Sequence, residues 1–237
     1  MNTLTHTIDT HTTFEDTPQK SANVVAKVAG FRIPAPVYAV LSLWLAAAFW
    51  IGDSGLLAVD ASHQFRPIAL SAMIPVGLFF AAYGLSPTFR AWTATIPVAL
   101  LTGLQAWRVI GFSFLLLYAF NALPLPFAFF AGVGDVLVGL GAAFVAYRIS
   151  QDPTQISGAG FRRVHIAGLV DFAVAVAAAT LTSGAYPEIW SGPIFSDAME
   201  VWPLNIFPSF GVPLFIILHA IALINARKYN QGNATVR

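Results

Sequence analysis

The sequence predicts an all-α, polytopic membrane helix bundle with six transmembrane helices and both termini in the cytoplasm. Three observations carry that expectation. Hydrophobic residues make up 57% of the chain and charged residues only 10%, against about 25% charged in an ordinary soluble domain. Apolar runs near the ~20 residues that cross the hydrocarbon core as a helix recur from Pro34 to Ala226. The basic residues between those runs fall almost entirely on one side of the membrane they define. With 237 residues, the chain has room for one membrane domain and no separate soluble one. It contains no cysteine, which excludes disulfides and thiolate metal sites, and a net charge of +1 gives no basis for nucleic-acid binding.

Residues 1–30 are rich in Thr, His, Asp and Gln, bury too little apolar surface to fold, and read as a disordered cytoplasmic tail. They lack the basic start and early apolar core of a signal peptide, and His6 and His11 are incidental there rather than metal ligands. The membrane domain spans residues 31–228. Its first span, 34–52, carries no charge and ends at Asp53. The second, 67–85, is also uncharged and contains Pro75, whose missing N–H neighbouring helices must accommodate. A short stretch with Arg90 and Trp92 lies at the interface before the third span, 97–121. The fourth span is 127–147, the fifth 162–183 and the sixth 205–226, with residues 229–237 as a second cytoplasmic tail. Between the fifth and sixth, Glu188, Asp197 and Glu200 with two tryptophans and no Lys or Arg form an acidic external loop.

Orientation follows from the basic residues. With the N-terminus inside, Lys20, Lys27, Arg32, Arg90, Arg148, Arg162, Arg163, Arg227, Lys228 and Arg237 are cytoplasmic and only Arg66 is external. The positive-inside rule selects that arrangement.

Two spans carry charge where hydrocarbon is expected. Gln105 and Arg108 lie three residues apart in the third span, on one helix face, and Asp135 lies near the middle of the fourth. An intramembrane ionisable group is a functional-site hypothesis with its partner named, and Asp135 is the partner named for Arg108. At 1.5 Å of rise per residue, Arg108 lies roughly 16 Å from the cytoplasmic end, Asp135 about 18 Å, Asp171 about 13 Å, and Gln105 and His219 about 12 Å. Gln105, Arg108, Asp135, Asp171 and His219 thus share one layer, which lets each buried polar group find a partner. Ala128, Ala131, Gly132, Gly139, Ala142 and Ala146 flank Asp135 as a small-residue face suited to close helix packing. His165, one turn inside Arg162 and Arg163, reads as an interfacial hydrogen-bonding residue.

Three functions compete for this layer. The first is a pathway or sensor for a small solute or proton, with proline and glycine hinges. The second is a non-catalytic structural clamp, Arg108 with Asp135 and Asp171 with His219; in that pairing Asp135→Ala, which strands an arginine that cannot lose its proton, is the worse single change. The third is enzymatic. Gly132-Val133-Gly134-Asp135 resembles the GxGD signature of intramembrane aspartyl proteases, with Asp171 as second carboxylate. Against it, the order of the two aspartates is reversed relative to the presenilin-like branch, and neither a YD pair nor a PAL motif occurs. No cofactor motif is present, and the His and Asp spacings fit no metal-ligand pattern.

Gln105-Ala-Trp-Arg108-Val-Ile-Gly111 with Phe114-Leu115, then Leu123-Pro124, Phe127-Ala128 and Ala131-Gly132-Val-Gly134-Asp135, resembles a group of uncharacterised bacterial multi-pass inner-membrane proteins. The resemblance covers the third and fourth spans and implies a bacterial inner membrane. It supplies no activity.

Overall fold

The computed structural model describes residues 16–60 and 63–234. The described chain is all-α, and six of its helices are long and apolar enough to cross a membrane. Helix α1 (Asp16–Gly30) precedes the first span, α2 (Ala35–Asp53), and the second, α3 (Pro67–Leu85). A short helix, α4 (Pro87–Thr95), leads to the third span, which consists of α5 (Val98–Leu104), a 3-10 segment (Gln105–Gly111) and α6 (Phe112–Ala119). The fourth and fifth spans are α7 (Leu125–Gln151) and α8 (Ala159–Leu181). A π-helical turn (Phe207–Gly211) and α9 (Val212–Ala234) make the sixth.

Sequence chemistry accounts for the starts of these helices. Proline occupies one of the first two positions of α2, α3, α4 and α7, where its missing N–H costs nothing and its fixed φ favours the helix. Ser86 caps α4 by accepting a hydrogen bond from the Phe89 N–H at 3.2 Å.

The expectation of a disordered tail fails for its second half. Asp16–Gly30 is helical and packs on α7 and α5; its Val, Ala and Lys content supports a helix once a partner surface exists, which composition alone does not reveal. Met1 to Glu15 lie outside the described residues. At the other end α9 continues to Ala234, where a tail from residue 229 is expected, and Ser157 and Asn230 are hydrogen bonded across the two chain segments.

The fourth span is the axis of the bundle, packing on the third and the fifth along much of its length. Its small-residue face makes this possible: a Cβ at Gly139 would lie 3.0 Å from the Val109 amide nitrogen and 3.3 Å from the Ala106 carbonyl oxygen. The first span is peripheral, held to the start of the sixth by Trp44 Nε1 donating to the Ser209 carbonyl (2.9 Å) and Asn205 Nδ2 to the Ala48 carbonyl (2.7 Å). An apolar cluster of Phe79, Ile96, Leu101, Ile149, Phe161, Ile221, Ala222 and Ala226 fills the end of the bundle near α4. A second, around Phe114, Leu123, Phe127 and Met199, fills the opposite end.

Candidate functional site

Between those clusters lies the charged layer, with Arg108 at its centre. The third span leaves α-helical geometry at Gln105–Gly111. A 3-10 helix has three residues per turn, so residues three apart eclipse one another, and Gln105, Arg108 and Gly111 are the buried positions of that segment. Arg108 is 1% exposed. Its Nε donates to Asp135 Oδ1 at 2.7 Å and its Nη2 to Asp171 Oδ2. Its Nη1 donates to the Gly168 carbonyl and to His219 Nε2, each at 3.2 Å. The guanidinium carbon sits 3.8 Å from the centre of the Phe172 ring, a cation–π contact in a desolvated setting. One side chain therefore ties the third, fourth, fifth and sixth spans together.

This corrects the expected pairing. Asp171 does not form a separate clamp with His219; both aspartates and His219 bond to the same arginine. Gln105 is buried in the same segment but stands apart, donating to the Phe215 carbonyl at 3.3 Å. The largest correction concerns His165, which is fully buried rather than interfacial. Its Nδ1 lies 2.8 Å from His219 Nδ1 and its Nε2 3.1 Å from Thr102 Oγ1, and its ring packs on Phe161 with centroids 4.4 Å apart. The signal was present: His165, Gly168 and Phe172 lie at i, i+3 and i+7, one face of a helix, and all three are buried.

The hydrogen bonds assign the tautomers. Thr102 Oγ1 donates to the Val98 carbonyl at 2.9 Å, so it accepts from Nε2–H of His165. His165 Nδ1 is then an acceptor and His219 Nδ1–H its donor. His219 Nε2 accepts from Arg108. Both imidazoles are neutral, in a chain that runs from Arg108 through His219 and His165 to Thr102.

Glycines make the room. A Cβ at Gly168 would lie 2.8 Å from Arg108 Nη1 and closer still to the His219 ring, and one at Gly134 would overlap the Asp171 carboxylate.

A cavity of about 170 Å³ extends from this layer. Arg108 and Asp135 form its floor, and Phe114, Phe127, Phe172, Phe207 and Phe215 much of its wall. Its far end is closed by Arg66, which bonds Glu200 Oε1 at 3.1 Å and the Ser183 carbonyl. Arg66 is 6% exposed, so the cation expected to stand alone in an external loop is part of a buried bridge between loops. Burial pushes the Glu200 carboxyl above its ordinary range, opposed by the Val59 N–H and by Arg66. The cavity also opens sideways. The second span packs on the sixth, and the fifth on the fourth and sixth; between the second and fifth, the rim residues Met73 and Val176 are 60% and 47% exposed. In a bilayer that rim faces hydrocarbon.

A family model described as "Domain of unknown function (DUF8737)" matches residues 64–227. The chain belongs to this family. Its matched region takes in the second to sixth spans, the whole charged layer and the cavity, and leaves out the peripheral first span. Comparison with curated proteins and with solved structures finds no match. The DUF8737 region does bring two aspartates together, as a paired-aspartate enzyme requires, but each carboxylate is bonded to Arg108.

Proposed function

We propose that this DUF8737 protein sits in the bacterial cytoplasmic membrane with both termini inside and binds a small, largely apolar solute, which it passes or senses at the Arg108 layer. The observation that carries this reading is the cavity itself: an apolar chamber that ends on a buried ion pair at mid-bundle and opens toward hydrocarbon. A stable apolar bundle gains little from such a pair, since polar contacts between membrane helices are commonly worth below ~1 kcal/mol. The structural-clamp reading has its own support, because Arg108 donates to four partners on three neighbouring spans.

The two readings part on one variant. Replacing the three charges together, Arg108→Met with Asp135→Asn and Asp171→Asn, removes every formal charge from the layer, and the protein should fold in both readings. In a deletion strain with a scored phenotype, the variant should fail to complement if the layer handles a solute. Full complementation by a folded, charge-free protein would leave only the clamp.

Orientation has a separate test. The chain has no native cysteine, so single replacements need no altered background. Ser157→Cys should be protected from a membrane-impermeant thiol reagent in intact cells and Ser191→Cys modified; a protected Ser191→Cys would overturn the six-span topology as oriented.

A further inference from the structure

The charged layer is one positive charge short. Arg108 contributes +1, Asp135 and Asp171 each −1, and the two imidazoles are neutral by their hydrogen bonds. Gln105 and Thr102 carry no charge, and the Arg66–Glu200 pair at the cavity's far end cancels itself. A net negative charge buried at this depth is costly, so the layer holds either a proton on its carboxylate pair or a cation from outside. The cavity provides for the second. Of the two carboxylates only Asp135 lines it. Asp135 Oδ1 accepts from Arg108, whereas Oδ2 has no hydrogen-bond donor among the described residues. Phenylalanine side chains make up much of the cavity wall, and their ring faces attract cations most strongly where water is excluded. Entry between the second and fifth spans suits a solute that already partitions into hydrocarbon.

We propose that the occupant is a small lipophilic organic cation, an alkyl- or arylammonium, that seats its positive charge at Asp135 Oδ2 and displaces one proton from the Asp135–Asp171 pair. No covalent step is involved: one positive charge enters and one proton leaves. The size follows from the volume, since an apolar cavity of about 150 Å³ holds benzene and this one measures about 170 Å³. The proposal rests on the solute-site reading above and names its ligand class.

The test uses purified full-length protein in detergent with tetramethylammonium, which is close to benzene in size and whose charge is permanent, so that any pH dependence belongs to the protein. Benzyl alcohol is the uncharged comparison. Below the pH at which the pair loses its proton, binding of tetramethylammonium should release one proton per site into a weakly buffered solution and weaken about tenfold per pH unit of acidification. Benzyl alcohol should bind at least roughly tenfold more weakly and release none. Asp135→Asn, which keeps an acceptor for Arg108, should lose proton release and roughly tenfold in affinity. Asp171→Asn makes the same charge change without touching the cavity wall, so it carries the test if the first variant fails to fold: it too should lose proton release. Equal binding of the alcohol and the cation, or full proton release from Asp171→Asn, would overturn the cation assignment while leaving a solute site. Failure of both probes to bind would overturn the cation assignment and the solute-site reading together.

Discussion

Arg108→Met is expected to be the most destabilising single substitution in the chain, costing on the order of 3 to 5 kcal/mol for the first ion pair it breaks, against a total of roughly 5 to 15 kcal/mol for a folded domain. It removes the counter-charge of both Asp135 and Asp171 and the donors to Gly168 and His219 at once. Asp135→Ala is milder, because the arginine it leaves still faces Asp171. This reverses the order that pairing Arg108 with Asp135 alone predicts. Fraction folded in a detergent or urea titration measures it: Arg108→Met should lie well below Asp135→Ala, and adding Asp135→Asn and Asp171→Asn to Arg108→Met should recover most of the loss. Recovery is the decisive feature, since a cavity or packing defect at Arg108 would not be repaired by changes on other helices.

The second large effect is expected at Gly168. An alanine there adds a Cβ that overlaps the His219 ring and crowds Arg108 Nη1. Forcing one extra carbon into a packed site typically costs about 1 to 3 kcal/mol, and here the shift also pulls apart the Arg108–His219 contact. Gly77→Ala is the matched control, because nothing lies within 4 Å of a Cβ at that helical position. It should be neutral or slightly stabilising, as alanine is the better helix former. Equal melting temperatures for the two variants would mean that Gly168 is not the close-approach point between the fifth and sixth spans.

Much of the fold was legible in the sequence because hydrocarbon imposes one rule on every span: its backbone must satisfy itself as a helix, and its length must match the bilayer. The same rule pointed to Arg108, Asp135, Asp171 and His219, since charge inside such a span needs a partner. Who pairs with whom was not legible. Helices that are apolar all round carry no periodicity to fix their rotation, so the sequence could set depths but not facings, and the single hub at Arg108 appeared as two clamps. His165 was misplaced for a related reason. Counting depth from Arg162 puts it at the surface, but α8 begins at Ala159, and the imidazole packs on Phe161 and is hydrogen bonded to Thr102. The 3-10 segment that aligns Gln105, Arg108 and Gly111 leaves little mark either, because its residues have ordinary helical propensities. Arg66 looked like a lone external cation because its partner Glu200 lies 134 residues away.

Entry of a small solute into the chamber above Arg108 is the decisive event. Photolabelling of the protein in liposomes with an uncharged aryl diazirine of benzene size, followed by peptide mass spectrometry, asks this directly. Phe114, Ala131 and Phe172 are 4%, 2% and 5% exposed and line the cavity, so adducts on them require a molecule inside it. Those adducts are expected in the unaltered protein and should disappear in Ala175→Phe, which fills the chamber. Adducts confined to bilayer-facing residues such as Leu137 and Leu140, and unchanged by Ala175→Phe, would contradict the account.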